Sequence, residues 1–171
     1  MSDLLDVLRA LARERARVVV VGGVALRLQG SAYVTQDVDL AYERTRVNAA
    51  RIAAALRPFD PKPRNHPPHL PFVFDAQTLI ANEVLTLETT AGDVDLLAAI
   101  KGLGGFAEVD AAAETLPFEE FELRVLSVEG LLVAKRAAGR PKDAAGIVEL
   151  EALRDARCAG ETGIERGLDR P

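Results

Sequence analysis

The sequence predicts an α+β protein, because segments with helical spacing of apolar residues alternate with short runs typical of β-strands. Residues 2–14 carry leucines at helical spacing, and residues 18–21 are four consecutive valines, as in a strand that is buried on both faces. Residues 83–89 and 93–98 alternate between apolar and polar side chains on either side of a tight turn. The predicted order is helix, strand, helix, strand, helix, loop, two or three strands and two helices.

Length and composition indicate one ordinary globular domain. The chain has 171 residues, of which 49% are apolar and 27% are charged, and a chain of this length can bury a sizeable core without covalent staples. We expect a single domain over residues 1–157 and a frayed tail over residues 158–171, where glycine and charged residues are frequent. The lone cysteine, Cys158, excludes an internal disulfide and is expected to be a semi-buried apolar residue.

The N-terminus and the charge favour a cytoplasmic protein without a membrane partner. The chain begins Met1-Ser2-Asp3, which lacks the positive segment of a signal peptide, and its apolar runs fall short of the ~18 residues that span a bilayer. The net charge of -5 argues against gross non-specific binding to nucleic acid. A basic run over residues 44–64 is either a solvated face or an RNA contact, and an acidic stretch over residues 108–122 is interpreted as a solvated face.

Gly22 and Gly23 are the first candidate binding residues. They end the valine strand and precede a short helix predicted over residues 24–29. Glycine lets a ligand approach the backbone closely, and the amides at a helix N-terminus favour anions. The pair is therefore a candidate phosphate-binding turn, with a plain tight turn as the alternative.

Three aspartates are candidates for metal binding. Asp37 and Asp39 are two residues apart in a predicted strand, so their carboxylates share one face and repel each other unless a cation or water intervenes. An Asx turn is the alternative interpretation of this pair. Asp95 lies between two apolar residues of a later strand and is the candidate third carboxylate, whereas Asp93 is assigned to turn chemistry.

Two lysines near the C-terminus are candidates for binding an anion. Lys135 lies near the buried edge of a helix that is predicted from Ser127 to Ala138. Lys142 follows Pro141 in the first turn of the next predicted helix, where a cation opposes the helix dipole. A lysine in that position indicates a bound anion.

Together these residues suit nucleotidyl transfer with two Mg²⁺ ions, which lie ~3.5–4 Å apart in such sites. The three aspartates would hold the metals, and the third could also accept the proton of the attacking hydroxyl. The glycine amides would hold the β- and γ-phosphates, and the two lysines would neutralise the departing pyrophosphate. The predicted set is Asp37, Asp39, Asp95, Gly22, Gly23, Lys135 and Lys142.

The motifs also resemble a known family. Residues 22–23, 37–39 and 94–96 resemble the three-acid signature of the DNA polymerase β-like nucleotidyltransferase superfamily. Most of residues 16–155 is most similar to the small AbiEii-type nucleotidyltransferases, some of which are toxins of toxin–antitoxin pairs. The lysine-rich segment over residues 132–143 is similar to the late signature of that family.

The resemblance implies a nucleotidyltransferase fold, in which a mixed sheet is flanked by helices and two helices lie at the C-terminal end. It implies two Mg²⁺ ions, ATP or another NTP as the substrate, and transfer of an NMP to a hydroxyl of RNA such as tRNA or of a protein. It also implies a cognate antitoxin or toxin protein as a partner. One departure from the family is Gly23, because the superfamily often has a serine there whose hydroxyl contacts phosphate.

Other functions stay open at this point. A non-catalytic or antitoxin-like module of the same fold would bind a partner protein, and a drug-modifying relative would transfer NMP to an antibiotic hydroxyl. A dinucleotide-binding domain is a poorer interpretation because the G-x-G-x-x-G spacing is missing. Zinc binding by His66 and His69 is disfavoured, because structural zinc usually has four ligands and the lone cysteine is far away.

Overall fold

The computed structural model describes residues 3–32, 34–67 and 69–165, and for residues 160–165 it describes the backbone alone. The helices within these residues are α1 (Leu4–Arg13), α2 (Gly22–Leu28), α3 (Arg46–Leu56), α4 (Ala76–Ala81), α5 (Phe106–Ala111), α6 (Val128–Ala138) and α7 (Ala144–Glu165). The strands are β1 (Val18–Val21), β2 (Asp37–Tyr42), β3 (Lys62–Pro63), β4 (Val84–Thr89), β5 (Gly92–Leu97), β6 (Ala99–Ile100), β7 (Gly104–Gly105), β8 (Ala113–Phe118) and β9 (Phe121–Leu126).

Seven of these strands form one sheet in the order β3-β4-β5-β2-β1-β9-β8, and β6 pairs with β7 in a separate two-stranded sheet. The large sheet is mixed. Strand β2 runs parallel to β5 and β1 runs parallel to β9, whereas the other neighbouring strands are antiparallel. The predicted α+β class is confirmed, as are the mixed sheet flanked by helices and the two helices at the C-terminal end.

The sequence of β1 explains its position in the middle of the sheet. All four of its valines are buried, as expected for a strand that is covered on both faces. In the neighbouring β2, the alternation of side chains turns Val38 and Leu40 into the core and Asp37 and Asp39 towards the opposite face. The sheet therefore has one wholly apolar face and one face that carries the acidic residues.

Helices cover both faces of the sheet. Leu8 and Leu11 of α1 border a small cavity together with Val18 and Val20, which places α1 on the wholly apolar face. The hydroxyl of Tyr42 donates a hydrogen bond of 2.9 Å to a carbonyl oxygen of α4 and so fixes that helix in the same layer. Helix α6, with α2 and α7 in contact with it, lies on the face that carries the aspartates.

The acidic stretch over residues 108–122 is not simply a solvated face. It contributes to α5, whose Val109 is fully buried, and it contains the whole of the edge strand β8. Oδ1 of Asp110 forms an ion pair with Nε of Arg124 at 2.8 Å, and Oε1 of Glu114 lies 3.4 Å from Nη1 of Arg157. Several of these acidic side chains pair with arginines instead of facing solvent. The order of charged and apolar residues in the sequence therefore does not show the periodicity of α5 or β8.

The C-terminal region differs from the expectation in two respects. Cys158, which lies in α7, is exposed rather than semi-buried. Helix α7 also continues past the expected domain end at residue 157 as far as Glu165, and residues 166–171 lie outside the described residues. The boundary of the domain at residue 157 stays a prediction. Among the described helices, none combines the length and the hydropathy needed to cross a bilayer.

Candidate active site

The register of the sheet brings the three predicted aspartates together. Strands β2 and β5 are parallel neighbours, with Asp39 directly opposite Asp95 and Asp37 directly opposite Asp93. Asp37, Asp39 and Asp95 each offer a carboxylate oxygen that lies within 4.8 Å of those of the other two. All three side chains are partly buried. The structure therefore assembles the predicted cluster from residues that are more than fifty positions apart in the chain.

Crowding and burial change the acidity of this cluster. Burial raises the pKa of Asp39 to about 6, and the negative charges of Asp37 and Asp95 add to the increase. The positive charges of Arg140 and Lys142 oppose it. Burial also raises the pKa of Asp95. Three carboxylates that are held this close and partly out of water repel one another, so the cluster favours binding of a cation.

The carboxylate of Asp39 leaves no room for a side chain at position 22, so this position requires glycine. It follows β1, whose Val21 lies opposite Asp39, and it begins α2 with φ +63. A Cβ atom at this position would overlap Oδ2 of Asp39. Gly23 also lies in the first turn of α2, but it does not line the cleft beside the aspartates. The turn predicted over both glycines is thus part of the helix, and Gly22 has a steric role in addition to the predicted contact with phosphate.

Arg64 belongs to the site and was not predicted as a site residue. It follows β3, and its Nη2 donates a 2.6 Å hydrogen bond to Oδ1 of Asp95. Its Nε lies 3.2 Å from Oδ2 of Asp93, so Asp93 is an ion-pair partner within β5 rather than a turn residue. Arg64 is 31 residues from Asp95 in the chain. The two meet because β4 pairs with both β3 and β5, and the sequence alone does not show this pairing.

Lys135 reaches the site from α6 but is not a free cation. Its Nζ donates a 2.9 Å hydrogen bond to Oδ1 of Asp143, while Nε of Arg140 donates one of 2.8 Å to Oδ2 of the same carboxylate. Burial raises the pKa of Asp143, but the two hydrogen bonds outweigh this effect and the net pKa is lowered. Gly146 of α7 makes room for Lys135, since a Cβ atom there would lie 3.2 Å from its Cε.

Arg140, rather than the predicted Lys142, lines the cleft beside the aspartates. The side chain of Lys142 is exposed and does not line the cleft, although its charge acts on Asp39. Arg140 does line the cleft, together with Lys135, and it was not among the predicted site residues. The signal that could have found it is its place in the resemblance over residues 132–143, beside Pro141 at the start of the helical turn.

The aspartates lie at the edge of an open cleft of about 440 Å³. Gly22, Asp39 and Asp95 line it, together with three cationic residues, Lys101, Lys135 and Arg140. Apolar side chains from β5, β6, β9 and α6 complete the wall, including Leu97, Ile100, Leu126, Leu131 and Ala134. A cleft with acidic, basic and apolar walls can accept a ligand that carries a cation-bound phosphate group and a flat apolar part.

The remaining predicted features lie away from this cleft. Nε2 of His66 lies 2.8 Å from the carbonyl oxygen of Leu70, and its ring packs against Phe72. Within the described residues, the aspartate cluster is the only group of three or more metal-type side chains found together. In the basic run, Arg44 and Lys62 make hydrogen bonds within the chain, and the alternative of an RNA contact stays a prediction.

Comparison with known proteins gives similarities to solved structures but none to families or curated proteins. No protein-family model matches the chain, and no curated protein matches it either. A crystal structure of a protein from Thermotoga maritima, described as a "putative nucleotidyltransferase", is 16% identical and superposes with a TM-score of 0.49. The match covers 91% of this chain and 93% of that one. What the cleft does is inferred from its own residues.

Proposed function

We propose that this protein is a Mg²⁺-dependent nucleotidyltransferase, which moves an NMP from an NTP to a hydroxyl group of an acceptor. One observation carries the proposal: three carboxylates on neighbouring parallel strands offer oxygens within 4.8 Å of one another, and two of them line a cleft that also contains three cationic side chains. Carboxylate oxygens are the protein ligands that Mg²⁺ prefers. Paired divalent ions held by shared carboxylates are typical of enzymes that transfer phosphate groups.

The aspartates would share the binding of two Mg²⁺ ions. Asp37 and Asp39 would hold the ions, and Asp95 would complete the binding of the one nearer the acceptor. Bound Mg²⁺ would polarise the phosphate oxygens of the NTP and make the acceptor hydroxyl a better nucleophile. Asp95 would also accept the proton of that hydroxyl.

The basic side of the cleft would bind the triphosphate. Arg140 lies beside the aspartates and is more than half exposed, so its guanidinium can reach a ligand without breaking its contact with Asp143. Lys135 and Lys142 would add positive charge as pyrophosphate departs, and the amides of Gly22 and Gly23 would donate to phosphate oxygens. Charge that is already in place before the reaction stabilises the leaving group without reorganisation.

The acceptor and the biological partner are proposed from the resemblance of residues 132–143 and the acidic motifs to the AbiEii-type family. We propose RNA such as tRNA, or a protein, as the acceptor, and a cognate antitoxin or toxin protein as the partner. The protein would then be one member of a toxin–antitoxin pair. An outcome with a small-molecule acceptor would instead support the drug-modifying alternative.

A transfer assay tests the proposed function. The full chain is incubated with Mg²⁺, with total tRNA or the protein encoded next to it, and with each NTP labelled at the α-phosphate or, separately, at the γ-phosphate. Label from the α-phosphate should appear in the acceptor, and label from the γ-phosphate should not. The Asp39→Asn variant should lose transfer, while Asp60→Asn, an identical change at an exposed aspartate, should retain it.

Calorimetry provides a second measurement that does not depend on choosing the right acceptor. NTP should bind to the wild-type protein only when Mg²⁺ is present, and it should not bind to Asp39→Asn. Transfer of the γ-phosphate alone would point to a kinase. Absence of both label transfer and Mg²⁺-dependent NTP binding would overturn the proposed function.

A further inference from the structure

Arg64 is fixed beside the acidic cluster at two points. Its backbone amide donates a 2.9 Å hydrogen bond to the carbonyl oxygen of Thr86, and Thr86 lies directly opposite Asp95 in the pairing of β4 with β5. Its side chain crosses β4 and donates the 2.6 Å hydrogen bond from Nη2 to Oδ1 of Asp95. Strand pairing therefore holds the guanidinium over one particular carboxylate of the cluster.

The contacts of Arg64 are incomplete for a purely structural ion pair. Its Nε is buried and has no hydrogen-bond partner, because the oxygen of Asp93 at 3.2 Å lies within ion-pair distance but outside hydrogen-bond geometry. A buried polar group left unsatisfied costs about 1–3 kcal/mol. Of its two carboxylate neighbours, Arg64 donates its hydrogen bond to Asp95, which is a predicted metal ligand.

We propose that Arg64 is a positioning residue for Asp95, which it neutralises while the cluster holds no metal and releases when a divalent cation binds. This inference rests on the proposed function, because it takes the three aspartates as the metal ligands. The guanidinium occupies an oxygen of the carboxylate that would contact the ion nearer the acceptor. Two cations at one carboxylate repel each other, so metal binding and the contact between Arg64 and Asp95 are antagonistic.

This arrangement has a defined role in the proposed reaction. Without metal, the side chain of Asp95 faces two other carboxylates, and the hydrogen bond from Arg64 holds it in place beside the cleft. Asp37 and Asp39 have no comparable arginine contact among the described residues, so they are free to take the first ion. Arg64 thereby makes occupation of Asp95 the later step of metal binding.

Titration of the full chain with Mg²⁺, and separately with Mn²⁺, in the absence of nucleotide tests the proposal by calorimetry. Arg64→Gln should bind these ions more tightly than the wild type, by roughly 5- to 10-fold, as expected for removal of an antagonistic contact. The matched control is Lys62→Gln. It removes one positive charge two residues before Arg64, and Lys62 pairs with Asp60 rather than with the cluster. Its affinity should stay within about 2-fold of the wild type, because exposed charges are screened by solvent. Arg64→Lys should fall between the wild type and Arg64→Gln, and it provides the same comparison if the glutamine variant does not fold.

Thermal unfolding distinguishes this role from simple support of the fold. Arg64→Gln should be less stable than the wild type without metal, and the increase in Tm caused by Mg²⁺ should be larger in the variant. An arginine that only supports the fold would leave the Mg²⁺-dependent increase unchanged.

Each remaining outcome has a clear meaning. Equal or weaker metal binding by Arg64→Gln, relative to a wild type that does bind, would overturn the role of Arg64 and leave the proposed function intact. Failure of the wild type and of both Arg64 variants to bind either ion without nucleotide would overturn this inference, whereas the proposed function is decided separately by label transfer and NTP binding.

Discussion

At the scale of single residues, Asp39 shows how the site opposes the stability of the fold. Its carboxylate is partly buried, lies beside two other carboxylates and is packed against the backbone of Gly22. Each of these features is unfavourable for a charged group that lacks a cation. Such a cost is common at functional sites, where residues are arranged for a ligand rather than for the empty protein.

The stability of the metal-free protein should therefore depend on pH through Asp39. Its pKa is about 6 in the folded protein against 3.8 in the unfolded chain, so the folded state binds the proton more tightly. The free energy of unfolding should thus increase as pH falls from about 7 towards 4, as linkage requires. Urea denaturation of the wild type and of Asp39→Asn over this range measures the effect, which should be absent from the variant. Saturating Mg²⁺ should remove the increase, because the metal and the proton compete for the same carboxylate.

The steric role of Gly22 gives a second prediction at this scale. Gly22→Ala would place a methyl group on Oδ2 of Asp39 at a positive φ and should lower the free energy of unfolding by about 2–4 kcal/mol. Gly23→Ala, at the next position of the same helical turn, should change it by less than about 1 kcal/mol. Equal effects of the two changes on urea denaturation would contradict the assignment.

Sequence reasoning reached most of the site at this scale but not all of it. Asp37 and Asp39 were predicted to share a face because side chains alternate in a strand, and the structure places them so. Asp95 was predicted from its place in a later strand, and the register of β2 with β5 brings it to the same face. Arg64 and Arg140 could not be predicted as site residues, because their positions depend on which strands and helices pack together rather than on local spacing.

At the scale of elements, the corner between α6 and α7 is the main support for the basic side of the cleft. Asp143 has only 5% of its side chain exposed, and it receives hydrogen bonds from Lys135 and Arg140. The turn of 3-10 helix at Pro141–Asp143 directs this carboxylate back towards α6. One buried acid thus fixes the angle between two helices and the positions of two cations.

Removal of Asp143 should lower the free energy of unfolding more than removal of an exposed acid that also connects α6 and α7. Asp143→Ala leaves Lys135 as a nearly buried charge without its partner and should cost about 3–5 kcal/mol. Glu151→Ala, which breaks the exposed contact with Arg136 between α6 and α7, should cost less than about 1 kcal/mol. Urea denaturation at neutral pH compares them, and Lys135→Met added to Asp143→Ala should recover part of the loss. Similar losses from the two single changes would show that burial of the pair is unimportant.

The elements also differ in how well the sequence predicted them. Helix α6 was predicted with its cap at Ser127 and its end before Gly139, because capping residues and apolar spacing agree there. Helix α5 and strand β8 were not predicted. Their acidic residues are partly paired with Arg124 of the next strand and with Arg157 of α7, so the charge pattern does not show which side faces solvent.

At the scale of the whole molecule, the sheet is organised from its centre outwards. Strand β1 is buried along its full length and has β2 and β9 as neighbours, whereas β8 and β3 lie at the edges. Amide protons in the centre of such a sheet are released only by large-scale unfolding, and those of edge strands by local opening.

Hydrogen exchange should reproduce this order. The amides of Val19 and Val20 should exchange most slowly, with free energies near that of global unfolding, and those on the open side of β8 should exchange several orders of magnitude faster, at about the rates of locally opening segments. Exchange of β1 and β8 amides at similar rates would contradict the layered description. Measurement by NMR or mass spectrometry on the full chain resolves the two strands.

The register between β2 and β5 affects more than the site. Because side chains alternate, a slip of one residue would turn Asp95 into the apolar face and expose Val94 and Leu96 in its place. A misaligned sheet would then bury an unpaired carboxylate, which is among the most expensive errors a folding chain can make. The acidic residues that destabilise the correctly folded protein therefore destabilise structures with a shifted register far more. They help to select the correct alignment of the strands.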